Sequence, residues 1–182
     1  MKSPTECLLL GLIHARPLTS YEVHKALRHL AAHHFSSSYG TINPALKRLE
    51  KRGWLQGADL SEGGRRKRQY TLTEAGRQAF AAWMSERDVA DQGEHGMLVR
   101  LFFLGLVPEA ERVNIVRNLA AAAEAVAGSM AQQRTQAAQV AASVEPALKE
   151  LAASQLAALD YGIAHHHFVA AWLRERFPGW AP

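Results

Sequence analysis

SSYGTINPALKRLEKRGWL, residues Ser37 to Leu55, is the stretch on which the fold depends. At about 100° per residue, Ile42, Ala45, Leu46 and Leu49 share one helical face. Asn43, Lys47 and Lys51 line the opposite face, with Arg48 beside them. The spacing predicts a helix that takes a serine cap from the preceding HHFSSS segment (33–38) and ends near Arg52, with Gly53 as its left-handed stop. Pro44 has no amide proton to give to an interior turn, so it is expected in or near the first turn. The apolar stripe has to dock on something, and the other face offers an amide and several cations to a partner. A solvated surface helix would carry the same pattern.

The chain before this helix supplies the dock. Ser3-Pro4-Thr5-Glu6 reads as a helix start with Ser3 as cap and Glu6 as its reciprocal partner, and the helix should run from Pro4 to His14 and stop before Pro17. The short apolar run CLLLGLI within it has no small-residue cleavage site after it and reads as a cytoplasmic helix, not a secretion signal. Thr19-Ser20-Tyr21-Glu22 is a second capping box, opening a helix whose apolar positions are Val23, Ala26, Leu27 and Leu30. After Gly53 the period changes. Leu55 to Leu60 and Gln69 to Leu72 read as two strands joined by a tip, SEGGRRKR, and Thr73 caps a fourth helix, Glu74 to about Glu86, with Phe80 and Trp83 or Met84 facing inward. Three helices, a two-stranded wing and a further helix make a winged helix-turn-helix.

The net charge of +4 is concentrated in this half. Residues 1–88 hold fourteen Lys and Arg against eight Asp and Glu, or +6, whereas 89–182 hold seven against nine, or −2. Such asymmetry suits a polyanion-binding module carried by another domain. DVADQGEHG (88–96) reads as a linker, so the expected division is 1–87, the linker, and 97–182. The second half is expected to be all helical. HGMLVRLFFLGL (95–106) is apolar on most sides, a long helix from Pro108 to about Ser143 would span about 50 Å, and a last helix should follow Pro146 to about Arg176. The last helix has Leu148, Leu151, Leu156, Leu159, Ile163, Phe168, Trp172 and Leu173 as its apolar set. No window is long and apolar enough for a membrane span, and the single cysteine, Cys7, allows no internal disulfide.

With SSYGTINPALKRLEKRGWL, GRRKRQYTLTEAG and LLGLIHARPLTSYEV in order, the chain resembles the PadR family of bacterial transcriptional regulators over nearly all of residues 5–85. The C-terminal half, through VRLFFLGLVPEAERV and Trp172-Leu173, is similar in pattern to that family's longer helical dimerisation region. The resemblance implies a homodimeric regulator that puts its third helix in the major groove of double-stranded DNA and its wing on the backbone. On matched positions it implies Ser38, Tyr39, Thr41, Asn43 and Lys47 as helix contacts and Arg65, Arg66, Lys67 and Arg68 as wing contacts, and the polar face of the helix adds Lys51 as a DNA contact. Asn43 stands where the family most often has tyrosine, and Ser20-Tyr21 where it commonly has Gly-Tyr. An asparagine can pair adenine, so Asn43 is expected to read an A·T pair. The resemblance also implies a small aromatic effector near the dimer interface, with Tyr161, Phe168 and Trp172 as lining candidates, although Phe168 and Trp172, four apart, also suit a plain core.

The reading is therefore a cytoplasmic, dimeric, ligand-responsive repressor on a palindromic operator, with no cofactor and no catalytic constellation. Gly63-Gly64 lacks the spacing of a nucleotide loop, and Cys7 has no activating neighbours in sequence. Two rivals stay open here. His29 and His33, four apart, could hold a metal in a metal-responsive regulator, though no nearby cysteine or carboxylate completes the set. His165-His166-His167 cannot all face one ion, since consecutive helical residues diverge by about 100°. The second rival is a winged-helix adaptor whose basic face meets an acidic protein.

Overall fold

The computed structural model describes residues 3–30, 39–62, 65–87, 89 and 92–178, with the side chains of 29, 30, 39, 40, 62, 65 and 66 also outside the description. The element order is α1 (Pro4–Ala15), β1 (Leu18–Thr19), α2 (Ser20–Leu30), α3 (Tyr39–Lys51), β2 (Leu55–Glu62), β3 (Arg65–Leu72), α4 (Glu74–Met84), α5 (Gly93–Phe102), α6 (Glu109–Ala142) and α7 (Lys149–Arg176). Two compact units result, Met1–Glu86 with Gln92–Pro108, and Arg87–Asp91 with Glu109–Pro182. The first is a winged helix with a three-stranded antiparallel sheet, and the second is a helical hairpin.

In the first unit the local chemistry sets the element ends. Ser3 accepts a hydrogen bond from the Glu6 amide and caps α1. At the start of α2 the reciprocal box is complete, with the Glu22 amide donating to Thr19 Oγ1 at 3.3 Å and the Thr19 amide donating to Glu22 Oε2 at 2.8 Å. The Thr19 amide and the Thr19 hydroxyl, both donating to Glu22 Oε2, hold that carboxyl below its ordinary range. Gly53 ends α3 at φ 72°, a left-handed angle that costs a glycine little. Thr73 caps α4 through the Gly76 amide.

Three expectations are corrected. Pro44 lies inside α3, in its second turn, because the helix starts as early as Tyr39. The expected tip SEGGRRKR is largely ladder, with Ser61 paired to Arg66 and Glu62 to Arg65, so the cations belong to a strand and only Gly63-Gly64 lies outside the described residues. A two-glycine connection permits pairing up to its edges, which the charge run conceals. The sheet also has a third member, since Leu18 and Thr19 pair with Tyr70 and Gln69.

Helix α1 is apolar on nearly every side and is the post of this unit, with Cys7, Leu8, Leu9, Leu10 and Ile13 buried as it packs against α3, α4, α5 and β3. Ile42, Ala45, Leu46 and Leu49 of α3 are buried as the stripe predicted, as are Phe80, Trp83 and Met84 of α4. Gly76 sits so close to the Trp54 carbonyl that an added Cβ would stand 2.1 Å from its oxygen. Because that contact is backbone, Gly76→Ala should lower stability by at least about 1–3 kcal/mol. A urea unfolding midpoint equal to that of the parent would contradict this packing.

The stretch 92–108 groups with the winged helix, so the boundary expected at residue 97 falls within α5. The reason is a buried cation. Arg100 is 1% exposed, donates to the Trp83 carbonyl at 2.8 Å, to Gln92 Oε1 at 2.9 Å and to the Gly96 carbonyl at 3.2 Å, and lies over the Trp83 ring. Phe103 adds an edge contact to Phe80.

In the second unit α6, 34 residues long, pairs with α7. The pairing is antiparallel, as Glu124 meets His167 and Arg174, and Arg134 meets Asp160. Ala120, Ala123 and Ala127 are buried at i, i+3, i+7, and Gly162 approaches Met130 so closely that a Cβ there would collide with its thioether. Small residues therefore let the helices approach closely. No helix among the described residues is long and apolar enough to cross a membrane.

Candidate nucleic-acid interface

The exposed side of α3 carries Thr41, Asn43, Lys47 and Lys51. Asn43, Lys47 and Lys51 recur every four residues and so form one row, opposite the buried stripe. Lys47 and Lys51 form no ion pair with a described residue, which leaves two ammonium groups on solvated stems. Ser38 lies outside the described residues, and Tyr39 opens α3 with its side chain outside them.

Arg48 and Arg52 face elsewhere. Both reach Glu6 of α1, Arg48 Nε at 3.3 Å and Arg52 Nη1 at 2.8 Å, and the carboxylate they hold is only 4% exposed. The Glu6 side chain thus ties α3 to α1, in place of the expected return to the Ser3 cap. Arg48, read from sequence as one of the cations turned to a partner, is an internal clamp.

Asn43 is held from α2. The Ser20 hydroxyl donates to its Oδ1, and His24, one turn further along α2 and buried, is hydrogen-bonded to the same amide. Burial lowers the His24 pKa, the Asn43 hydrogen bond opposes that, and the Arg28 charge adds to it, leaving a net downward shift. The two departures noted in the sequence, Ser20 and Asn43, are therefore in contact. His24 was not singled out in the sequence. Its spacing from Ser20, i+4 on one helix, is the only signal available there.

Along the wing, Arg65 and Arg66 open β3, paired in backbone with Glu62 and Ser61, and their side chains lie outside the described residues. Lys67 is exposed. Arg68 is not a free cation. It donates to Asp59 Oδ1 at 2.8 Å and to both carboxylate oxygens of Glu50, and these anions push its pKa up. Glu50 also accepts the Gly57 amide at 3.2 Å, so one carboxylate of α3 joins both wing strands to that helix. Arg68, expected on a phosphate, is instead the bolt between wing and helix.

In the helical hairpin the last helix has two apolar sides. Val169, Ala170 and Leu173 are buried, whereas Tyr161, Phe168 and Trp172 are 74%, 65% and 41% exposed. Spacings of seven and four residues put those three aromatics within roughly 40° of one another, and His165 stacks on Tyr161. They are not the core of this chain. His167 turns to Glu124 at 3.3 Å while His165 and His166 meet edge to face, so His167 parts from the other two imidazoles. Of the candidate metal pair, His33 and the side chain of His29 lie outside the described residues.

Residues 9–82 match the model of the transcriptional regulator PadR-like family. Among solved structures, the chain is similar to a Streptococcus mutans protein at 22% identity, over 95% of this chain and 98% of that one, with a TM-score of 0.44. It is also similar to Bacillus subtilis PadR, solved in complex with operator DNA, at 17% identity over 96% of each chain and a TM-score of 0.45. A second structure of the Bacillus subtilis protein, in complex with p-coumaric acid, is 15% identical over 97% of this chain and 98% of that one, with a TM-score of 0.42. No curated protein matches the sequence.

Proposed function

We propose that the protein, whose residues 9–82 match the PadR-like transcriptional regulator family, is a DNA-binding regulator of that type, acting in the cytoplasm as a homodimeric, ligand-responsive repressor on a palindromic operator. The observation that carries this reading is the row Asn43, Lys47 and Lys51, exposed on a helix whose other side is sealed into the domain core. A helix of this width enters the major groove, where an amide addresses base edges and ammonium groups reach the phosphates beside them. Ser38, Tyr39, Thr41 and the wing cations Arg65, Arg66 and Lys67 complete the proposed contacts. Arg68 is left out because two carboxylates occupy it.

A second copy related by a two-fold axis would cover the aromatic side of α7 and set two reading helices about one DNA turn apart. Tyr161, Phe168 and Trp172 would then line that seam, where a small aromatic effector could change the spacing of the two heads. p-Coumaric acid, the ligand named for the Bacillus subtilis relative, is the first probe for this. Its binding should shift operator affinity by about 5–150-fold, the span of typical allosteric coupling.

The test is fluorescence anisotropy on DNA from immediately upstream of the protein's own gene, beside a scrambled duplex, across a salt series. Tighter binding to the native fragment by about a thousandfold is expected. Replacing Lys47, Lys51 and Lys67 together by alanine should weaken both duplexes and reduce the salt slope by about 2.7, from roughly 0.9 per lost phosphate contact. Equal binding of both duplexes by the parent protein would reject specific recognition of that fragment, and an unchanged slope would remove the three lysines from the backbone contacts.

A further inference from the structure

We propose that Ser20 and His24 are positioning residues that decide which base edge Asn43 can address, an inference that rests on α3 being the reading helix. An asparagine amide has two unlike ends, an acceptor oxygen and a donor nitrogen, in nearly the same shape. Turned by half a circle it offers the opposite pattern to the same spot in the groove, so an untethered amide discriminates poorly between a base that donates and one that accepts. In this protein the amide is tethered. The Ser20 hydroxyl, on the first residue of α2, donates to Oδ1, so the acceptor end is drawn toward α2. Ser20 is itself fixed, since the Thr19–Glu22 box sets the start of that helix immediately beside it. His24, 3% exposed beneath the α2–α3 contact, is hydrogen-bonded to the same amide.

The chemistry of the outward edge follows. With one Oδ1 lone pair on Ser20 and the other on the His24 N–H, whose bond to the amide favours the protonated imidazole, both N–H groups of Nδ2 remain for DNA. Asn43 therefore presents a donor, and its partner is a major-groove acceptor, purine N7, guanine O6 or thymine O4. The bases that offer an exocyclic amine at that spot, adenine through N6 and cytosine through N4, become acceptable once the amide is free to turn. Ser20 and His24 touch no base in this scheme, and they act through the asparagine.

Selection of bound duplexes from a random library, followed by sequencing, tests the assignment. The parent protein should show one base-pair column whose preference vanishes in Asn43→Ala. Ser20→Ala should weaken the preference in that same column by about fivefold, the worth of one hydrogen bond, and admit bases that donate there. Ser20→Thr, which keeps the hydroxyl, should retain the parental preference. His24→Phe, which keeps an aromatic ring in the buried site, should broaden the same column. Binding to random DNA and the urea unfolding midpoint should stay parental in the Ser20 variants, which a merely structural role would not predict. A column unchanged by Ser20→Ala, or a change in a different column, overturns the inference while leaving DNA recognition standing. A parent protein that enriches no sequence overturns both.

Discussion

Alanine at both Arg48 and Arg52 is expected to cost about 3–5 kcal/mol of folding stability, the penalty for stripping a buried charge of its partners. Against the roughly 5–15 kcal/mol that holds a typical domain folded, that is enough to unfold much of the protein at moderate temperature. The cause is asymmetric burial. Glu6 is enclosed, while Arg48 and Arg52 are 54% and 40% exposed at their side chains. Removing Glu6 returns two guanidinium groups to water at little cost, but removing the guanidinium groups leaves a carboxylate in the core. Glu6→Met in the doubly substituted background should therefore recover most of the loss, because it exchanges the stranded charge for apolar volume. Urea unfolding followed by tryptophan fluorescence measures all three proteins. A double variant with the parental midpoint, or one that Glu6→Met does not rescue, would show that Glu6 is not an anchor of α3.

This clamp shows where the sequence was readable and where it was not. Features governed by neighbours in the chain were legible, including the Ser3 and Thr73 caps, the Thr19–Glu22 box, the Gly53 stop and the buried stripe of α3. Charges were not, because a cation's partner is chosen by the fold. Arg48 finds Glu6 forty-two residues away and Arg68 finds Glu50 eighteen away, and in the linear sequence both look like cations waiting for an anion. The same blindness hid β1, whose two residues become a strand only by pairing with Tyr70 and Gln69. Helix α5 was read as apolar, but apolarity does not say what covers it, and the structure puts it beside α1 with Arg100 over the Trp83 ring. For the candidate interface, the row on α3 was legible from its period, whereas the tether on Asn43 required α2 to be packed beside it.

The apolar residues of α7 pose that last ambiguity most sharply, and a second large effect follows from it. The apolar set read from the sequence holds Phe168, Trp172 and Leu173 together, yet at about 100° per residue Leu173 turns away from the other two, and it is buried within the hairpin while Phe168 and Trp172, with Tyr161, stay outside. Under the proposed function their cover is the second copy. Aromatic side chains bury about 150–250 Å² each when enclosed, and truncating a central aromatic of an interface commonly costs about 2 kcal/mol or more. Replacing Tyr161, Phe168 and Trp172 together by alanine should therefore raise the dimer dissociation constant by at least about a hundredfold, which is about 2.7 kcal/mol. The protomer itself should hold, because the lost groups are exposed and alanine favours the helix. Helical content by circular dichroism should accordingly remain parental while sedimentation velocity reports monomers at concentrations where the parent is dimeric. Operator binding at those concentrations should fall as well, since a monomer engages one half-site alone and loses the gain in effective concentration that linkage provides. Parental sedimentation by the triple variant would move the dimer seam off this face of α7. A parent protein that is monomeric throughout would remove the need for a palindromic operator.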